Sequence, residues 1–362
     1  MRVAVTLEQC WHRVPGGTAV SAIESARAVQ AEAGGPGPGR VELVGVAAHH
    51  RYPPVVSFRP SIEVQQLPVP RPALYEAWHT LRWPPVQQAT GAVDVVHATT
   101  IIVPPRSAPL VVTVHDLAFL HEPTHFTRRG LRFFRRGLEL VRRDADLVLC
   151  PSTVTLEDCA RAGIARDRLR LVPWGVHVEP ATGAQVEELR LRRGLDRPYV
   201  LFVGTFEPRK NLRRLIRAFD QIDDRYDLVM AGPAGWGDDV APPSSRSIAL
   251  GFVSTAELRA LYAGAAAFVF PSLREGFGLP VLEAMAQGAP VVTSKGTATE
   301  EVAGGAAVLV DPYDVDDLAR GIAEAIDRRQ ELADASHGRA KAMTWSANAA
   351  ATLDAYREVA AA

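Results

Sequence analysis

The stretch Ala266-Ala-Phe-Val-Phe270-Pro-Ser272-Leu-Arg-Glu275-Gly276-Phe277-Gly278-Leu279-Pro280-Val-Leu-Glu283-Ala-Met-Ala286 decides the fold. Its first five residues are apolar and short, as in a buried strand. A glycine loop follows, then a helical pattern over 279–287 that Gly288 ends. Gly276 and Gly278 permit a tight turn and close backbone approach. Pro280 suits the first turn of a helix. Backbone N–H groups near Phe277 to Leu279, together with the helix dipole, make an anion site that suits a diphosphate. Glu275 precedes the helix and Glu283 lies one turn inside it, so both carboxylates can reach the same mouth. One can accept hydrogen bonds from sugar hydroxyls and the other from a ribose diol.

Outward from this unit, the strand–loop–helix pattern repeats along the chain. Strands are predicted at 1–7, 41–47, 62–67, 93–97, 110–114, 145–150 and 169–173, then at 199–203, 227–231, 247–250, 266–270, 290–293 and 307–310. Helical patterns lie between most of them, including 18–33, 127–143, 211–221, 255–263, 279–287 and 315–333. Alternation of this kind predicts βαβ units and parallel sheets. Residues 1–173 read as one doubly wound Rossmann-like domain, 174–197 as a linker, and 198–344 as a second such domain. Residues 345–362 read as a last helix that can cross back to the first domain. Ligands of open parallel sheets bind beyond the carboxyl ends of strands, so two domains facing each other are expected to share a cleft.

Three further strand ends carry chemistry. Gly204-Thr205-Phe-Glu-Pro-Arg209-Lys210-Asn211 follows the strand at 199–203. Two adjacent cations there can neutralise a departing diphosphate and stand in for a metal. Pro15-Gly16-Gly17-Thr18 opens a helix after the first strand, and a double glycine alone reads equally as a plain turn. Val114-His115-Asp116 ends the strand at 110–114, where His115 is either a pocket wall or a core histidine. Asp314-Val-Asp316, a D-x-D, sits where a helix begins and reads as an N-cap rather than a metal site.

The totals set bounds. A chain of 362 residues with formal net charge -1 is long enough for two domains and gives no electrostatic case for nucleic acid. Cys10, Cys150 and Cys159 are scattered, with no C-x-x-C, and read as reduced thiols. No apolar run approaches the roughly 20 residues that span a bilayer. The expected location is the cytoplasm. Only three of the 40 basic residues are lysines, so Lys210 departs from this chain's habitual cation.

Together these motifs resemble the family-4 retaining glycosyltransferases of the GT-B fold, the superfamily of bacterial mannosyl- and glucosyltransferases. The resemblance runs from the Gly16-Gly17 loop to the last helix. It implies that Glu275 holds the donor sugar's hydroxyls, Glu283 the nucleoside ribose, and Arg209 and Lys210 the pyrophosphate. Gly276 and Phe277 shape that loop, and the amides of Gly278, Leu279 and Gly17, beside Gly16, touch the diphosphate. His115 would line the sugar pocket, and Phe252 and Val253 would meet the base. Many relatives carry an arginine where this chain has Thr205, so Arg209 is expected to take over that charge. The implied reaction is hexosyl transfer with retention, using neither metal, cofactor nor protein nucleophile, from a nucleotide diphosphate sugar to a glycan, lipid-linked or small-molecule acceptor. The HDLAFL and GTFEPRKN variants look most like mannosyltransferases using GDP-mannose, with UDP-sugars as the other donors. A sugar phosphorylase, a nucleotide-sugar epimerase and a non-catalytic sugar-binding protein stand as alternatives. The arginine-rich pattern over 127–143 is read as an ordinary helix with a solvated face, against a peripheral contact with the inner face of a membrane.

Overall fold

The computed structural model describes residues 1–35, 37, 39–233 and 246–361. Pro36 and Pro38, in the glycine-rich turn at 34–39, lie outside them. The chain divides into two compact units, Met1–Trp174 with Trp345–Ala362, and Gly175–Thr344.

The first unit holds strands β1 (Arg2–Thr6), β2 (Glu42–Ala47), β3 (Val64–Gln66), β4 (Val95–Ala98), β5 (Leu110–Thr113), β6 (Leu147–Cys150) and β7 (Leu169–Leu171). They form one parallel sheet in the order β3-β2-β1-β4-β5-β6-β7. Successive side chains of a strand point to opposite faces, and both faces are covered. Val3, Val5, Val95 and Val111 join a cluster with Ala22 and Ile23 of the helix Gly16–Ala33 and Leu353 and Tyr356 of the C-terminal helix Trp345–Ala361. Ala4, Val96 and Val112 join another with Leu74, Trp78, Leu138 and Val141. A sheet buried on both sides has no polar face to alternate with, which is why its strands read as short apolar runs.

The second unit holds β8 (Tyr199–Val203), β9 (Asp227–Ala231), β10 (Ser247–Gly251), β11 (Ala267–Phe270), β12 (Val291–Ser294) and β13 (Val308–Val310), ordered β10-β9-β8-β11-β12-β13 and parallel. Strand order reverses between β8 and β11, the place where such sheets bind ligands. Residues 174–197, read as a linker, contain the helix Gly183–Arg193, with a Thr182–Gln185 capping box and a left-handed Gly194 at its end, and from Gly175 they belong to the second unit. The helical pattern at 315–333 is two helices, Val315–Asp327 and Arg329–Ala342, broken at Arg328. Asp314 caps the first, its side chain accepting from the amides of Asp316 and Asp317. All three cysteines are free and buried. No described helix is long and apolar enough to cross a membrane.

Candidate active site

β8 and β11 are hydrogen-bonded neighbours, so the loops after them emerge side by side. The first carries Pro208–Lys210 in a single 3-10 turn, closed by Asn211 in the left-handed conformation (φ 62°). The Asn211 side chain fixes this turn by donating to the carbonyls of Pro271 (3.0 Å) and Pro312 (2.6 Å). The Leu273 amide donates to the Arg209 carbonyl at 2.9 Å and joins the two loops directly.

Lys210 and Glu275 meet between them. Lys210 Nζ lies 2.7 Å from Glu275 Oε1, and Arg209 Nη1 lies 2.8 Å from Glu275 Oε2. Arg209 also pairs with Glu207 at 2.7 Å and donates to the Arg274 carbonyl. Two carboxylates thus balance two cations in a site where Lys210 and Glu275 are each under a tenth exposed. Isolated charges are costly to bury, and mutual pairing is what makes the cluster tolerable. Burial alone would raise the Glu275 carboxyl, but Arg209 and Lys210 outweigh it and hold it at about 2. Burial draws Lys210 below the ordinary lysine range, with Glu275 opposing. The ammonium also rests 4.7 Å from the centre of the Phe270 ring, a favourable cation–π position.

Gly278 caps the helix Leu279–Ala286 with φ 104°. A β-carbon there would come within 2.6 Å of the Thr299 side chain, so the position has no room for one. Phe277 and Leu279 bury their side chains, leaving their main chain as the part that can face a ligand. Glu283, half-buried in the same helix, accepts from the Tyr262 hydroxyl at 3.2 Å. Burial raises its carboxyl to about 7, with Tyr262 and Arg259 opposing. Thr205 is half-buried in the β8 loop, while Phe252 (65% exposed) and Val253 follow the edge strand β10, two strands from β8.

Gly16, Gly17 and His115 belong to the first unit. Gly16 opens its helix at φ 61°, and no atom of the described residues comes within 4 Å of a β-carbon at either glycine. His115, just past β5, bonds through Nε2 to the Thr99 carbonyl (2.8 Å) and meets Trp174 edge-on, while burial lowers its basicity. Asp116 caps a turn by accepting from the Ala118 amide. Sequence reading missed Glu207, although it stands two residues before the arginine it holds.

Residues 187–342 match the model of glycosyl transferases group 1, and 15–180 that of glycosyltransferase family 4. The chain is 32% identical to the O-antigen chain mannosyltransferase B of Escherichia coli, over 79% of this chain and 81% of that one. It is 30% identical to the MMP alpha-(1->4)-mannosyltransferase of Mycolicibacterium hassiacum, over 58% of this chain and 54% of that one. Among solved structures it resembles Anabaena HepE in complex with UDP and glucose (TM-score 0.74, 19% identity, 99% and 100% covered). It also resembles the sucrose-phosphate synthase of Thermosynechococcus elongatus (TM-score 0.76, 20% identity, 100% and 99% covered).

Proposed function

Because the chain belongs to glycosyltransferase family 4 and has the GT-B fold, we propose that it transfers mannose from GDP-mannose, with retention and without a metal, to a glycan, lipid-linked or small-molecule acceptor. That it is a glycosyltransferase follows from its relatives, and the donor and stereochemistry are our reading. Support for mannose comes from the names of two relatives that match long stretches of the chain.

The observation that carries the mechanism is the grip of Arg209 and Lys210 on Glu275. In this reading an incoming diphosphate takes over the two cations, and Glu275, held ionised, turns its acceptor oxygens to the sugar hydroxyls. Bond breaking moves negative charge onto the diphosphate, and the cations are already in place to receive it. Pre-positioned charge of this kind needs no reorganisation during the reaction. The leaving diphosphate oxygen takes the acceptor hydroxyl's proton on the face it departs from, which keeps the anomeric configuration. Glu283 accepts from the ribose diol.

A thermal-shift comparison of GDP, UDP, dTDP and ADP, with and without EDTA, tests this reading. A ligand that binds only the native state raises its stability with concentration over Kd. Stabilisation by GDP alone, unchanged by EDTA, is the expected outcome. A larger shift with UDP would overturn the donor, and a shift abolished by EDTA would overturn the metal-free mechanism.

A further inference from the structure

Inside the first unit, residues of its sheet and of the C-terminal helix line a cavity of about 30 Å³ whose walls mix polar and apolar side chains. The helix presents Asn348, Thr352 and Tyr356 to it, four residues apart and so on one face. The sheet answers with His97, Thr113 and His115. His97 is satisfied at both nitrogens, by the Tyr356 hydroxyl at 2.7 Å and the Thr113 hydroxyl at 2.8 Å.

Two residues of the lining each carry a buried atom that lacks a partner among the described residues, His115 Nδ1 and Asn348 Oδ1. Their chemistry is fixed by the bonds on their other sides. A carbonyl can only accept, so the contact with Thr99 requires the proton on His115 Nε2, and Nδ1 is left as an acceptor. Asn348, 3% exposed, donates through Nδ2 to the Pro173 carbonyl, so its oxygen is also an acceptor. Two acceptors cannot bond each other. A water molecule, which carries two donors, can serve both. The cavity exceeds the roughly 10–15 Å³ a water requires.

We propose that this cavity is a built water site, in which an ordered water donates to both His115 Nδ1 and Asn348 Oδ1, making Asn348 a positioning residue for His115. Anchored at both nitrogens, the imidazole has one tautomer and one ring orientation. The C-terminal helix thereby reaches His115, which the family resemblance assigns to the sugar pocket, and the kinetic part of the inference rests on that assignment.

A high-resolution crystal structure of the whole protein tests the site itself. Density within hydrogen-bond distance of both atoms supports it, and none there overturns it. Nitrogen NMR of the His115 ring tests the coupling without any need for activity. The wild-type spectrum should show the Nε2–H tautomer with Nδ1 accepting a hydrogen bond. In Asn348→Leu the Nδ1 signal should move toward that of an unbonded ring nitrogen, and Asn348→Ser, which keeps an oxygen acceptor, should restore it. An unmoved signal in Asn348→Leu sinks the coupling, and Asn348→Val, which likewise carries no acceptor, reads it if the leucine variant does not fold. On transfer, Asn348→Leu should lower kcat on the order of tenfold to a hundredfold with little change in the donor's KM. A moved NMR signal with an unchanged kcat would overturn the role assigned to His115 while leaving the water site in place.

Discussion

Lys210 Nζ and Glu275 Oε1 stand 2.7 Å apart although 65 residues separate them along the chain. The contact exists because β8 and β11 are neighbours at the reversal of strand order, each followed by a short loop. Removing Lys210 leaves Glu275 paired with Arg209 alone. Lys210→Ala should therefore keep the fold, losing about 3 kcal/mol at most on denaturant unfolding. Transfer should fall by roughly 10²–10³, the usual loss when a charge-stabilising group is removed from a closed site. An unchanged transfer rate in a folded variant would show that the diphosphate binds elsewhere.

The pH behaviour of Glu283 follows from a carboxyl raised to about 7 by burial. The folded state holds a proton that the unfolded chain releases near its ordinary value of 4.5. Stability from this group is thus fully present below pH 4.5 and declines as pH rises through about 7. Binding works the other way, since ribose hydroxyls donate to the ionised form. Nucleotide binding at pH 6.5 should release a proton, measured by calorimetry in buffers of different ionisation enthalpy. Glu283→Gln should bind without that release. Equal proton release by both proteins would remove Glu283 from the ribose site.

How much of this was legible beforehand differs between backbone and side chains. Each strand from β1 to β13 was readable; the inner ones are apolar runs because both their faces are buried, whereas the edge strands β3, β7 and β10 are partly exposed. The helix Thr153–Arg161 was not, since Thr153, Val154 and Thr155 open it with β-branched residues that favour a strand. The Glu275 and Lys210 loops stood out through glycines and charges that an ordinary turn does not need. Glu207 did not, because an exposed loop acid and one holding a half-buried arginine look alike in sequence. Asn348 was invisible for a different reason. Its importance depends on Pro173 and His115, over a hundred residues away, and no local pattern encodes that meeting.

Gly278 tests the geometry of the loop rather than its charges. Its φ of 104° and the 2.6 Å approach to Thr299 penalise any side chain. Gly278→Ala should lose roughly 1–3 kcal/mol of stability by chemical denaturation, the cost of a residue forced into a sparse backbone region. The same shift moves the first amides of the Leu279–Ala286 helix, so nucleotide affinity should drop with it. Full retention of both would mean that Thr299 yields and that the loop tolerates a side chain.

The arginine-rich helix Arg128–Asp144 bears on the question of membrane contact. Arg128, Arg132 and Arg135 are exposed and share one face, and among the described residues no acid pairs with them. Leu131 and Phe134 of the same helix, however, pack against the buried cluster that includes Leu138 and Val141. A helix that lies in a bilayer interface needs its apolar face free for the acyl region, and here that face is already committed to the core. Any contact with a membrane through this helix should therefore be electrostatic. Sedimentation with anionic liposomes is expected to fall steeply between 0.05 and 0.5 M salt, as screening shortens the reach of each charge from about 14 Å to about 4 Å. The charge-reversal variant Arg128→Glu/Arg132→Glu/Arg135→Glu should not sediment at either salt. Binding that survives high salt would mean that apolar side chains leave the core to enter the bilayer. Absence of wild-type binding at low salt would leave the helix as a solvated face and remove the membrane from this protein's partners.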